Sequence, residues 1–348
     1  MINLKIIFKL VISGVIALIV WEIILANTTI NTTGYKDHPE LGRIYKKGTY
    51  IQGTEGYSRS KINSLGMRSN EITKKGKNEI RILALGDSYT EAFQVDESNT
   101  YTQILEEELK SKTSKKLNVI NAGRSGGSPA HYIHLSNFYN KNINQDYTII
   151  QLNDDDFKVD MLDTTRNFYV IKDENENFIT VFNRNFQSAN VLLQKFPQFK
   201  GLLEFSVLRV GADKAQKLLS SPTEVVSKSS VVTSGDDSDE NDLLVKWTVE
   251  SLKKKYSNVV IVYLPTINYE DIKNSKPTDI EKLLEKYCDL NEVGVINMRQ
   301  HYIDYYSRFK TPSNGFNNTA PGSGHINKWG HRLVGEQLAL YFEGRLDK

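Results

Sequence analysis

Short apolar runs set apart by helical stretches are the feature that most constrains this chain. The runs at 81–85, 117–121, 147–152, 259–264 and 293–297 are each about one strand long. Between them lie stretches with helical spacing, such as Tyr101, Ile104, Leu105 and Leu109, or Ile280, Leu283, Leu284, Tyr287 and Leu290. A strand that is apolar on both faces needs cover on both, and strand–helix alternation provides it by layering helices over a parallel sheet. The spacing predicts an α/β domain over 79–346, with a three-layer α/β/α arrangement. An insertion at about 161–240 breaks the rhythm. Within it, 164–185 reads as a hairpin around an acidic turn. The stretch 220–241, rich in Ser, Thr, Asp and Val, reads as a mobile loop.

The N-terminus has a different character. Residues 6–25 are nearly all apolar, with Lys9 and Glu22 as the only charges. That is about the length that crosses a bilayer. Lys5 and Lys9 precede the uninterrupted run at 10–21 and orient the N-terminus toward the cytoplasm. The expectation is a transmembrane anchor or signal segment over 1–26, with the membrane as a partner through this helix. A linker and leader follow over 27–78. The main domain is then extracytoplasmic, in a periplasm or at a cell surface, or secreted if the segment is cleaved.

The chain has 348 residues and a formal net charge of +2, with no clustered basic face, so nucleic acid is not an expected partner. The lone Cys288 forms no intramolecular disulfide and lies in a helical apolar pattern, as a buried small hydrophobe does.

Ligands in open parallel sheets bind beyond the carboxyl ends of the strands. Ser88 follows the first strand, Gly126 lies in the glycine-rich turn after the second, and Asn153 ends the third. His325 precedes the last helix. Acyl transfer calls for such a set. A serine hydroxyl is a poor nucleophile until an imidazole takes its proton. The tetrahedral intermediate needs preorganised donors, each worth on the order of 3 kcal/mol. Ser88 and His325 are the candidate catalytic pair. The N–H groups of Ser88 and Gly126 and the side chain of Asn153 are the candidate oxyanion hole. No metal or other cofactor is called for. His131 and His134 share a helix face, but no carboxylate or cysteine cluster accompanies them. The run of Asp154, Asp155 and Asp156 lacks the glycine and glutamate of a calcium loop.

Gly86-Asp87-Ser88-Tyr89-Thr90 after an apolar strand resembles block I of the SGNH/GDSL hydrolase superfamily. Gly126 is similar to the block II glycine, Leu152-Asn153-Asp154 to block III, and His325 to the block V histidine, with Asn327, Gly330 and His331 following in a similar pattern. The segment 63–68, Asn-Ser-Leu-Gly-Met-Arg, resembles one found upstream in exported members. The resemblance covers about 79–160 and 240–345. It implies the flavodoxin-like SGNH hydrolase fold and a serine esterase or O-acyltransferase that works through a Ser88 acyl-enzyme. The implied substrate is an acylated small molecule or polysaccharide, with acetyl on an envelope glycan as the expectation from location.

Two positions depart from that pattern. Gln151 and Leu152 stand where the family has small residues, so the floor of the cleft is expected to be reshaped. The family's catalytic Asp sits three residues before the histidine, and here that position is Gly322. Loss of the acid elsewhere costs roughly ten-thousand-fold in rate. Three readings stay open: a Ser88–His325 dyad, an acid from elsewhere, or a degenerate site on a glycan-binding or assembly protein. For the second, Asp154 is a candidate as acid or turn residue, beside Asp155, Asp156 and the insertion.

Overall fold

A computed structural model of the chain describes residues 4–28, 34–52, 55–184 and 237–346. It opens with α1 (Leu4–Thr28), a helix whose large apolar side chains, among them Phe8, Leu10, Ile16 and Trp21, are exposed around its circumference. The expected membrane crossing is not met. Among the described residues no helix is long and apolar enough to cross a membrane.

The leader, for which the sequence shows no clear period, folds into two antiparallel strand pairs. β1 (Tyr35–His38) pairs with β2 (Gly42–Tyr45), and β3 (Gly48–Gln52) pairs with β4 (Ser58–Ile62). These strands are four or five residues long, and only β4 alternates cleanly between buried and exposed, which leaves little period to read. The segment 63–68 turns back on itself: Asn63 Oδ1 accepts the N–H groups of Leu65 and Met67, both at 3.0 Å. This turn delivers the buried Arg68 to the main domain.

There the apolar runs become β5 (Glu79–Leu85), β6 (Lys116–Asn121) and β7 (Tyr147–Leu152). A hairpin of β8 (Phe168–Lys172) and β9 (Phe178–Phe182) follows, then β10 (Val259–Tyr263) and β11 (Gly294–Asn297). The sheet order is β6-β5-β7-β10-β11, with every pairing parallel. In chain order of its strands this is the flavodoxin-like 2-1-3-4-5 arrangement, whose switch point lies at β5.

Alternate residues of each strand feed two cores. Leu83, Leu85, Ile150 and Ile261 face one helical layer, which includes α4 (Pro129–His134), α5 (Ser136–Asn142), α7 (Asp237–Lys255) and α8 (Asp279–Leu290). Ile82, Ala84, Ile149 and Val260 face the other, with α3 (Tyr101–Lys110), α9 (Arg299–Phe309) and α10 (Lys328–Phe342). Two four-residue helices, α2 (Ser88–Glu91) and α6 (Lys158–Met161), leave the carboxyl edge of the sheet. Of the loop expected over 220–241, the part up to residue 236 lies outside the described residues. Residues 237–241 are the first turns of α7 instead, where acidic residues such as Asp239 and Glu240 suit the positive end of the helix dipole.

Candidate active site

Ser88 is the first residue of α2, directly beyond β5 at the switch point. Asp87 caps that helix by accepting the Tyr89 N–H at 2.8 Å. Gln151, buried at the end of β7, accepts from the Asp87 N–H at 3.2 Å and from Thr90 Oγ1 at 3.1 Å. The large residue at this position thus braces the underside of the Ser88 turn. Burial pushes the Asp87 carboxyl up to about 6, against the Tyr89 N–H, the charge of His325 and the Asn153 amide, which hold it down.

The far end of α2 is held by the leader. Arg68 donates to the carbonyls of Glu91, Ala92 and Val95, satisfying groups that a helix C-terminus leaves open. Its guanidinium lies 5.8 Å from the Phe93 ring, and Tyr50 of β3 stacks on the same ring at 4.2 Å. Phe93 is therefore buried where the leader docks.

His325 sits in the turn before α10. Its carbonyl accepts the Gly315 N–H at 3.0 Å. Two residues on, Asn327 caps α10 through the N–H groups of Trp329 and Gly330 and donates to the Pro312 and Gly315 carbonyls. The turn brings His325 Nε2 to 2.7 Å from Ser88 Oγ. On the other side of the ring, Nδ1 lies 2.5 Å from Oε2 of Glu55, and the His325 N–H donates to Glu55 Oε1 at 2.8 Å. Both side chains are partly shielded, with 27 % and 18 % exposure.

Glu55 lies between β3 and β4, so the carboxylate on the histidine comes from the leader and not from the hydrolase-like segment. Two glycines make this arrangement fit. Gly324 has φ +77°, and a Cβ there would stand 2.2 Å from Glu55 Oε1. Gly322, where the resemblance places an Asp, has φ +78°, and a Cβ there would meet the Tyr269 ring at 2.9 Å. An aspartate at 322 would be strained, and a side chain at 324 would push Glu55 away.

The remaining candidates gather at the same edge. The Ser88 N–H is in the first turn of α2, where no intrahelical partner exists. Gly126 is exposed at φ +72°, and Arg166 Nη1, at 3.7 Å, is what a Cβ there would approach. Asn153 is fixed on three sides: its N–H donates to Asp156 Oδ2, its Oδ1 accepts the Asp155 N–H, and its Nδ2 donates to Asp87 Oδ2 at 2.9 Å. Asp154 is turned elsewhere. Its Oδ1 accepts from Tyr263 and from Thr278, so it ties the turn after β7 to β10 and the start of α8 and does not serve His325. His331 is buried, stacks on Tyr101 at 6.1 Å, and is pushed down to about 3 by burial. Glu91, at the end of α2, bonds Ser125 Oγ beside Gly126, and burial pushes its carboxyl up to about 7.

A serine oxygen, an imidazole and a carboxylate in this chain of contacts can move a proton from Oγ to Nε2 while the carboxylate holds Nδ1–H in place. Sequence reasoning missed Glu55. The available signals were a lone carboxylate in a short polar turn, Gly53-Thr54-Glu55-Gly56, and a pair of glycines flanking position 323.

No family model matches the chain, and no curated protein matches it. Among solved structures it is similar to the lipase/acylhydrolase from Enterococcus faecalis, at 13 % identity and a TM-score of 0.40 over 77 % of this chain and 97 % of that one. It is also similar to an acetyl xylan esterase from Geobacillus stearothermophilus, at 10 % identity and 0.39 over 76 % and 95 %. A further acetyl xylan esterase gives 15 % identity and 0.40 over 75 % and 99 %. Likeness of this degree is too slight to assign an activity, which rests on the chain's own geometry.

Proposed function

We propose that the chain is a serine esterase or O-acyltransferase of the SGNH/GDSL type, with Ser88, His325 and Glu55 as its triad. The carrying observation is His325, which spans Ser88 Oγ at 2.7 Å and Glu55 Oε2 at 2.5 Å with its two ring nitrogens. Glu55, which contacts His325 where an Asp at 322 is missing, supports this reading over a degenerate binding protein.

In the first half-reaction Nε2 takes the Ser88 proton as Oγ attacks the ester carbonyl. The oxyanion forms toward the Ser88 N–H, the Gly126 N–H and the second Asn153 amide hydrogen. Glu55 stabilises the imidazolium and keeps the ring oriented. The carbon–alkoxy bond then breaks, Nε2 returns the proton to the departing alcohol, and Ser88 carries the acyl group. Water or a second hydroxyl gives its proton to Nε2, attacks the acyl carbon and releases Oγ, which recovers the proton. Hydrolysis and transfer differ only in this last nucleophile.

The substrate in this reading is an O-acyl, and specifically an O-acetyl, group on an envelope glycan or similar molecule outside the cytoplasm. Lys5 and Lys9 ahead of the apolar run at 10–21 support export. Hydrolysis of p-nitrophenyl acetate by the full-length chain, beside Ser88→Ala and His325→Ala, tests the chemistry. Each variant is expected to lose about 10⁴- to 10⁶-fold in kcat, with fluorophosphonate labelling confined to chains that keep Ser88. Wild-type activity no higher than that of Ser88→Ala, with no label on Ser88, would end the esterase reading.

A further inference from the structure

Gly126 and Asn153 stand in the loops after β6 and β7, so two donors of one oxyanion hole belong to separate segments. Such donors act by being in place before charge develops, so their spacing has to be held. The Asn153 side is fixed by its bonds to Asp156 and Asp87. The Gly126 side is a four-residue turn from Arg124 to Gly127, closed by the Gly127 N–H on the Arg124 carbonyl at 2.7 Å. Gly126 takes the third position at φ +72°, as a type II turn requires. Its N–H belongs to the middle peptide of the turn, which the closing bond does not orient. A type I turn keeps the same closing bond with that peptide reversed, and the N–H then faces the other way.

The restraint on this peptide comes from outside the turn. On the α2 side, Glu91 accepts from Ser125 Oγ. On the other side stands Arg166, from the insertion. Its Nη1 donates to the Gly126 carbonyl at 3.2 Å, its Nη2 pairs with Asp160 of α6, and its Nε lies 3.4 Å from Asp163 Oδ2. Asn153 caps the helical turn Asp154–Asp156, and α6 starts two residues beyond that turn. One guanidinium thus links the carbonyl of the first donor residue to the segment that carries the second. A planar fork with fixed donor directions suits such a link, and an ammonium on a flexible stem does not. The neighbouring residue braces the same turn: Asn167 Oδ1 accepts from Arg124 Nη2 at 3.4 Å. Arg166 is itself set by a turn in which its N–H donates to the Asp163 carbonyl at 3.0 Å.

We propose that Arg166 is a positioning residue for the oxyanion hole, its guanidinium tying the Gly126 turn to α6 and so keeping the Gly126 N–H aimed at the developing charge. The inference rests on the esterase reading above. Arg166→Met, in the full-length chain, keeps the aliphatic stem and removes the guanidinium. On p-nitrophenyl acetate, kcat and kcat/KM are expected to fall together by about 10- to 100-fold, as for a donor moved out of line. The second substrate is O-(p-nitrophenyl) thionoacetate, whose sulfur is a weak hydrogen-bond acceptor and gains little from the hole. Its rate is expected to fall at least about fivefold less than that of the oxygen ester. Arg166→Lys, the milder change, keeps the charge but not the fork, and is expected to lose the same preference for the oxygen ester in smaller measure. Wild-type kcat in both variants, in a chain whose activity depends on Ser88, overturns the inference and leaves the esterase reading standing. Equal losses on the two esters, or a loss confined to KM, also overturn it, because general damage to the site would do the same. A wild-type chain without Ser88-dependent activity sinks the esterase reading itself, and the inference with it.

Discussion

Ser88 and Glu55 meet the same imidazole but are held in opposite ways. Ser88 follows β5, an interior strand of the sheet, and its neighbours Asp87, Thr90 and Glu91 are buried beneath it. Glu55 sits at the end of a two-stranded pair outside the sheet, 270 residues from His325 in sequence, and is seated by contacts such as Tyr50 on Phe93 and the Gly56 N–H on Asn318. In the proposed triad the nucleophile is a product of the fold's topology, while the acid is a product of docking. A triad is defined by roles and geometry rather than by chain position. A hydrolase-like domain can therefore do without its own acid if an appended segment supplies one in the same place.

The comparison can be broken from the acid side first. Glu55→Gln keeps the side-chain shape but loses the charge, and its kcat on p-nitrophenyl acetate is expected to fall by about 10³- to 10⁴-fold with the fold intact. Adding Gly322→Asp to that variant is expected to restore nothing, because φ +78° and the Tyr269 ring oppose an aspartate there. Recovery of rate in the double variant would show that position 322 can still serve. Gly324→Ala is expected to cost about 10²- to 10³-fold by displacing Glu55, since loss of orientation by about an ångström is enough for a hundredfold effect. An alanine variant with wild-type kcat would mean that Glu55 needs no such clearance.

How far these features were legible follows the same division. The strands of the sheet were legible at 81–85 and 259–264 because a strand buried on both faces is written as a compact apolar run, and the observed Glu79–Leu85 and Val259–Tyr263 differ by a residue or two. Ser88, Gly126 and Asn153 could be placed at one edge because strand ends determine that edge, and His325 by the resemblance of the turn before the last helix. α9 went unseen because it buries only Arg299 and Tyr302 and so carries no stripe. Glu55 was illegible for a deeper reason: its partner depends on how β3 and β4 pack, and no local period encodes that. Gly322 was read as an absence, whereas with Gly324 it marks the space another element fills.

The smallest expected effect comes from the nucleophile side. Burial raises the Glu91 carboxyl to about 7 from its ordinary 4.5. Between those values the folded chain holds a proton that the unfolded chain has released, so stability falls as pH rises through that window and levels off above it. Glu91→Gln is expected to flatten this fall, gaining up to about 3 kcal/mol relative to the wild type between pH 5 and pH 8. Denaturant melts at the two pH values read it out. A variant that runs parallel to the wild type would mean Glu91 is ionised in the folded chain.

The bond between Glu55 and His325 can be observed without any substrate. A histidine Nδ1 proton held by a carboxylate at 2.5 Å resonates far downfield in a proton NMR spectrum. The full-length wild type is expected to show such a signal, and His325→Ala and Glu55→Gln are both expected to lack it. A downfield signal that depends on His325 but survives in Glu55→Gln would contradict the account, because the acid of this site would then lie somewhere other than the leader.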